Sequence, residues 1–114
     1  MKLFAENIDG IMVISSLPKV LDASNAMEFK ESIPRIIEQS SQAVFDMSAV
    51  QFIDSAGCGS LITTLRRLNE AGGALKLCDV RKQVRSVLEL VRMHKIIDIY
   101  NTREEALRSF SVEP

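Results

Sequence analysis

Asp54, Ser55, Gly57 and Gly59 stand together at the end of an apolar run, in the stretch FIDSAGCGSL. A strand that ends here and turns into a helix leaves the first helical N–H groups unpaired, together worth about half a positive charge. A hydroxyl at such a point can serve as a nucleophile, help to hold an anion, or accept a phosphoryl group and tolerate it. The two glycines remove side chains from the first turn, so another backbone, a nucleotide or a phosphate could come close. A purely structural reading fits the same residues: Ser55 caps the helix and the glycines let it pack closely.

Two enzymatic readings fail on spacing. A Walker loop needs GxxxxGK followed by Ser or Thr, and no lysine occurs between Asp54 and Leu68. A nucleophile elbow needs GxSxG, and residues 53–57 read Ile-Asp-Ser-Ala-Gly, without the first glycine. The only histidine, His94, would have to be the base; among Arg92, Met93 and Lys95 it reads as a surface residue. The remaining chemical reading makes Ser55 a substrate for phosphorylation.

The whole chain sets further bounds. Its 114 residues suit one domain spanning 1–114, and 46% hydrophobic with 25% charged residues is the balance of an ordinary globular fold. Net charge is −1, with Lys and Arg interspersed among Asp and Glu, so no basic stripe indicates direct nucleic-acid binding. Glu6 and Asp9 interrupt the start of the chain where a signal peptide would be apolar, and no apolar run approaches the roughly 20 residues of a membrane span. A cytoplasmic protein without membrane insertion is expected. Cys58 and Cys78 form no CxxC or Cys/His cluster and fall within apolar patterns, so they read as reduced core thiols. No metal or cofactor is expected.

The elements that must position the motif follow from periodicity. Leu3 to Ile8 and Ile11 to Leu17 read as two strands joined by a hairpin at Asp9-Gly10. From Asp22, the spacing of Ala26, Phe29, Ile33, Ile36 and Ile37 predicts a helix, with Asp22 or Ser24 as N-cap and a kink or break one turn before Pro34. Gln42 to Met47 reads as a buried strand, and Val50 to Ile53 as an apolar approach to the motif. A second helix carries Cys58, Leu61, Ile62, Leu65 and Leu68 on one side and stops at Gly72-Gly73. Ala74 to Cys78 is a strand, Val84, Val87, Leu88 and Val91 mark a third helix, and Ile96 to Tyr100 a fifth strand. Thr102 and Glu105 have capping-box spacing for a last helix that turns Ala106, Leu107 and Phe110 inward. The order ββαβαβαβα implies an α/β domain with about four helices, its mixed sheet mainly parallel after an antiparallel hairpin.

The run FDMSAVQFIDSAGCGSLITTLRRLNEAGGALKLCDV, followed by VRSVLEL, KIIDIY and TREEALRSF, resembles the STAS domain of bacterial anti-sigma factor antagonists. LDASNAMEF resembles the start of that family's first helix, so the likeness covers nearly the whole chain. The resemblance implies a binding module without catalysis of its own. Its partner would be an ATP-dependent serine kinase that doubles as anti-sigma factor; binding frees the sigma factor, phosphorylation ends the complex, and a PP2C-type phosphatase restores the binding form. Carried onto this chain, Ser55 is the phosphoacceptor, Asp54 its neighbour, Gly57 and Gly59 the clearance around it, and Asp22 an acid near the same surface. Ala56 stands where some members carry the acceptor, which leaves Ser55 as the only hydroxyl in the motif. Arg92 stands where many members have a glycine after the third helix.

Other STAS domains are adaptor subunits of phospholipid-transport ABC complexes, or sit on sulfate-type anion transporters, and a constitutive module of that kind is the alternative. Arg81, Lys82, Arg85 and Arg92 read as a solvated face rather than a second contact. Valine at Gly57 or Gly59 is expected to impair partner binding more than stability, both glycines being taken as exposed at the start of the helix.

Overall fold

Ile8 faces Ile11 across the Asp9-Gly10 turn, and from that pair strands β1 (Phe4–Ile8) and β2 (Ile11–Ser15) run antiparallel. The computed structural model describes residues 1–111. After the hairpin come β3 (Val20–Leu21), α1 (Ala26–Ile37), β4 (Gln42–Asp46), β5 (Phe52–Ile53), α2 (Ser55–Glu70), β6 (Ala74–Cys78) and α3 (Lys82–Leu90). A 3-10 turn (Met93–Lys95), β7 (Asp98–Tyr100) and α4 (Arg103–Phe110) complete the described chain. The main sheet has the order β1-β2-β4-β6-β7, parallel beyond the hairpin.

Alternation along β4 shows why this sheet needs cover on both sides. Ala43 and Phe45 join the core formed with α1, α2 and α3, while Val44 joins a smaller cluster with Ile11, Val13, Cys78 and Ala106 under α4. In the larger core Phe29 of α1 meets Phe45 edge to face, with ring centroids 5.7 Å apart. The hairpin, the single helices between parallel strands, and the capping box of Thr102 and Glu105 all agree with the sequence reading.

Several details differ. Helix α1 passes through Pro34 without a break. Proline costs roughly 3 kcal/mol inside a helix, but Phe29 and Ile33 are fully buried on this one and tertiary packing holds it. Neither Asp22 nor Ser24 is its N-cap; that position is Asn25, whose side chain turns back to accept from Asp22 N–H and donate to the Val20 carbonyl. The fifth strand of the main sheet starts at Asp98 rather than Ile96, because the chain first makes the 3-10 turn. The apolar approach at residues 50–53 contains the two-residue strand β5; a second two-residue strand, β3, and the parallel pairing of the two as a separate ribbon were not foreseen. Helix α2 ends as expected, with Gly72 at φ +83° in the left-handed region that favours glycine.

Candidate functional site at the paired strand ends

Val20-Leu21-Asp22 and Phe52-Ile53-Asp54 are the same local sentence written twice: an exposed apolar residue, a buried one, then an acid that ends the strand. The register sets Val20 opposite Phe52 and Leu21 opposite Ile53, which places the two acids side by side where the chain leaves for α1 and α2. Leu21 and Ile53 point into the core, and the residues on either side of them point the other way.

Asp54 holds the two strand ends together. It is the N-cap of α2, its Oδ1 accepting from Gly57 N–H at 2.9 Å, while Oδ2 accepts from Ala23 N–H at 3.3 Å in the loop before α1. Its own N–H donates to the Leu21 carbonyl at 3.3 Å. An N-cap of this type is worth about 1 kcal/mol. Asp22 works locally, its Oδ1 accepting from the N–H and hydroxyl of Ser24.

With Asp54 as cap, Ser55 is the first residue of α2 and its side chain is exposed. Among the described residues its hydroxyl has no hydrogen-bond partner, so the capping role considered for it belongs to Asp54. Ala56 is half-buried in the same turn. The two glycines part company. Gly57 is buried, and a Cβ there would press into the Leu21 carbonyl oxygen and lie 2.7 Å from Ile53 Cγ1. It lets α2 sit against β3, so its reading as outward clearance, and the exposed position assumed for a valine there, are corrected. Gly59 has open space, with nothing within 4 Å of a Cβ.

His94 is half-buried rather than fully at the surface, with a sequestered Nδ1 that has no partner among the described residues. It lies in the 3-10 turn beyond α3, packed against α3 and β7, and no hydrogen bond joins it to Ser55 among the described residues. Two of the cationic group are engaged within the fold: Arg81 Nε donates to the Ser48 carbonyl at 2.8 Å and Arg85 pairs with Glu89 at 3.2 Å. Cys58 and Cys78 are buried free thiols. Burial, then the negative charge of Asp54, pushes the Cys58 thiol up; burial and the charge of Asp46 do the same to Cys78. Cys78 lies near Asp46 and Asp79, the one grouping of possible metal ligands among the described residues. Asp46 is already bound to a cation there, with Arg103 Nη2 at 2.8 Å.

Residues 3–106 match the family profile described as STAS domain. The chain belongs to the STAS domain family. This STAS domain is 30% identical over 111 residues to BtrV of Bordetella bronchiseptica, a candidate anti-sigma factor antagonist, covering 96% of this chain and 95% of that one. The crystal structure of an anti-sigma factor antagonist from Mycobacterium paratuberculosis superposes with a TM-score of 0.85 at 25% identity, over 97% of this chain and 94% of that one. The anti-sigma factor antagonist SpoIIAA matches in its unphosphorylated form with a TM-score of 0.79 at 22% identity, over 99% and 100% of the two chains. Its phosphorylated form, from Bacillus, matches at 0.69 and 21%, over 96% and 99%. These relatives are regulators, not enzymes.

The turn at Asp54-Ser55 was legible in the sequence as the start of a helix, whereas Ala23, Asn25, Val20 and Phe52 were missed. The signal that could have found them is the repeated triplet, apolar-apolar-acid before each of two consecutive helices.

Proposed function

We propose that this STAS domain is a cytoplasmic anti-sigma factor antagonist whose binding is switched at Ser55. One observation carries the reading: Ser55 is exposed at the first turn of α2 with its hydroxyl uncommitted, because Asp54 does the capping. A relative named as an anti-sigma factor antagonist, and the two phosphorylation states in which SpoIIAA is known, support it. In this reading the unmodified domain binds an anti-sigma factor that is also an ATP-dependent serine kinase and so frees a sigma factor. Phosphorylation ends the complex, and a PP2C-type phosphatase restores the binding form.

The electrostatics suit a switch that acts at the interface. A phosphoserine carries about −1.5 to −2 charges, and the α2 terminus offsets part of this by roughly 0.3 to 1 kcal/mol. The fold is therefore retained. Asp22 and Asp54 already make this surface negative, and like charge set against an interface costs several kcal/mol. Each 1.4 kcal/mol is a factor of about ten in affinity.

Incubation with the cognate kinase and ATP is expected to add one phosphate, located by mass spectrometry at Ser55, and calorimetry should show the modified domain releasing the kinase. Ser55→Ala should bind persistently and Ser55→Asp weakly. A phosphate on Ser48 or Ser60 instead, or equal affinity of both forms, would overturn the mechanism and favour a constitutive adaptor.

A further inference from the structure

Val20 is 41% exposed and Phe52 52%, and the ribbon register sets them directly opposite each other. Both project away from the core that takes Leu21 and Ile53. Two residues further along each chain come Asp22 and Asp54, just past the paired residues, with Asp54 on the side of Phe52 by the alternation of an extended backbone. Asp54 keeps that extended geometry, with φ −116° and ψ −170°. The ribbon thus runs from an apolar pair to an acid pair, and Ser55 follows at once.

We infer that Val20 and Phe52 form the apolar anchor of the surface that Ser55 gates, and that the occupant is the anti-sigma factor itself. The inference rests on the function proposed above. Continuity argues for this occupant: three residues of chain separate Phe52 from Ser55 by roughly 10 Å at most, while an interface of standard size takes in about 20–30 residues a side. A partner that reads Ser55 therefore covers Phe52 as well. Binding energy concentrates in buried aromatic residues near the centre of such a footprint, with charged groups setting specificity around them. The chemistry sought on the partner is an apolar hollow beside cations or N–H donors that face Asp22 and Asp54. Attraction comes from the anchor and control from the hydroxyl, so the two functions reside in different residues.

Calorimetric titration of the anti-sigma factor into purified variants tests this. Phe52→Ala is expected to weaken binding at least tenfold, and Val20→Ser to weaken it less, both with the circular dichroism spectrum of the parent. Leu90→Ala is the control, since Leu90 is 83% exposed but is the last residue of α3 and no part of the ribbon; it should bind as the parent does. Parental affinity in Phe52→Ala and Val20→Ser, with weak binding by Ser55→Asp, overturns the anchor and leaves the phosphoswitch standing. Equal binding by the parent and Ser55→Asp overturns the functional reading, and with it an anchor gated by Ser55. Sedimentation of the chain alone provides a separate check: a dimer that Phe52→Ala dissolves would make the pair a self-association surface and overturn the assignment. If Phe52→Ala fails to fold, Val20→Ser decides the matter alone.

Discussion

A methyl group at position 57 would collide with the Leu21 carbonyl, whereas one at position 59 would meet nothing within 4 Å. Overpacking against backbone cannot be relieved by a rotamer change, so Gly57→Val is expected to lose about 3 kcal/mol of stability or more. Gly59→Ala gains the helix propensity that glycine lacks, and should stabilise by about 0.5–1 kcal/mol. Urea unfolding of the two variants checks both signs. The glycines looked alike in the sequence because spacing along a helix says nothing about which distant backbone comes up against it. Leu21 belongs to another strand, and only the register of β3 with β5 makes it a neighbour of Gly57. The place of the serine was easier to read. It depends on the strand ending and the helix beginning within one short segment, and that is visible in local residue types.

Elements of eight or more residues were legible because each spans two or more helical turns of apolar repetition, and the five main strands because turn signals bound them. The two-residue strands β3 and β5 are too short to show a period, and their pairing is a tertiary event. Docking of α4 was visible only as an inward face, whereas its polar anchors required the fold. Arg103 at the first turn reaches Asp46 Oδ2 on β4, and Lys76 on β6 donates to Ser109 Oγ at 2.7 Å while its Nζ lies 4.4 Å from the centre of the Phe110 ring. Burial alone would raise the Asp46 carboxyl, but hydrogen bonds from Arg103 and Ser48, with the charge of Arg103, outweigh it and hold the pKa below the ordinary 3.8. A depressed carboxyl contributes stability in full above its unfolded value, and loses that contribution as pH falls through the folded one. Arg103→Ala is accordingly expected to cost about 1–2 kcal/mol at neutral pH. Its deficit relative to the parent should shrink below pH 3.8, where the parent loses the same interaction. Thermal melts of the two proteins between neutral pH and pH 3 measure this.

At the scale of the whole molecule, the two faces of the main sheet are covered unequally. Three helices pack one side, while on the other α4, a helix of 8 residues, lies over Ile11, Val13, Val44 and Cys78. The ribbon packs against α2 and α3, so the proposed switch and the thin cover belong to different layers. Elements with few buried contacts open before the whole fold does. On heating, α4 is expected to lift while the three-helix layer still holds, and the strip it leaves bare is a row of apolar side chains, mostly β-branched, on a sheet already formed. Light scattering should therefore rise before far-UV helicity is lost, and Arg103→Ala should lower the onset of scattering further than it lowers the unfolding midpoint. The heat sensitivity of this protein would then depend on its concentration, with damage set by how often two uncovered sheets meet rather than by how fast one chain unravels.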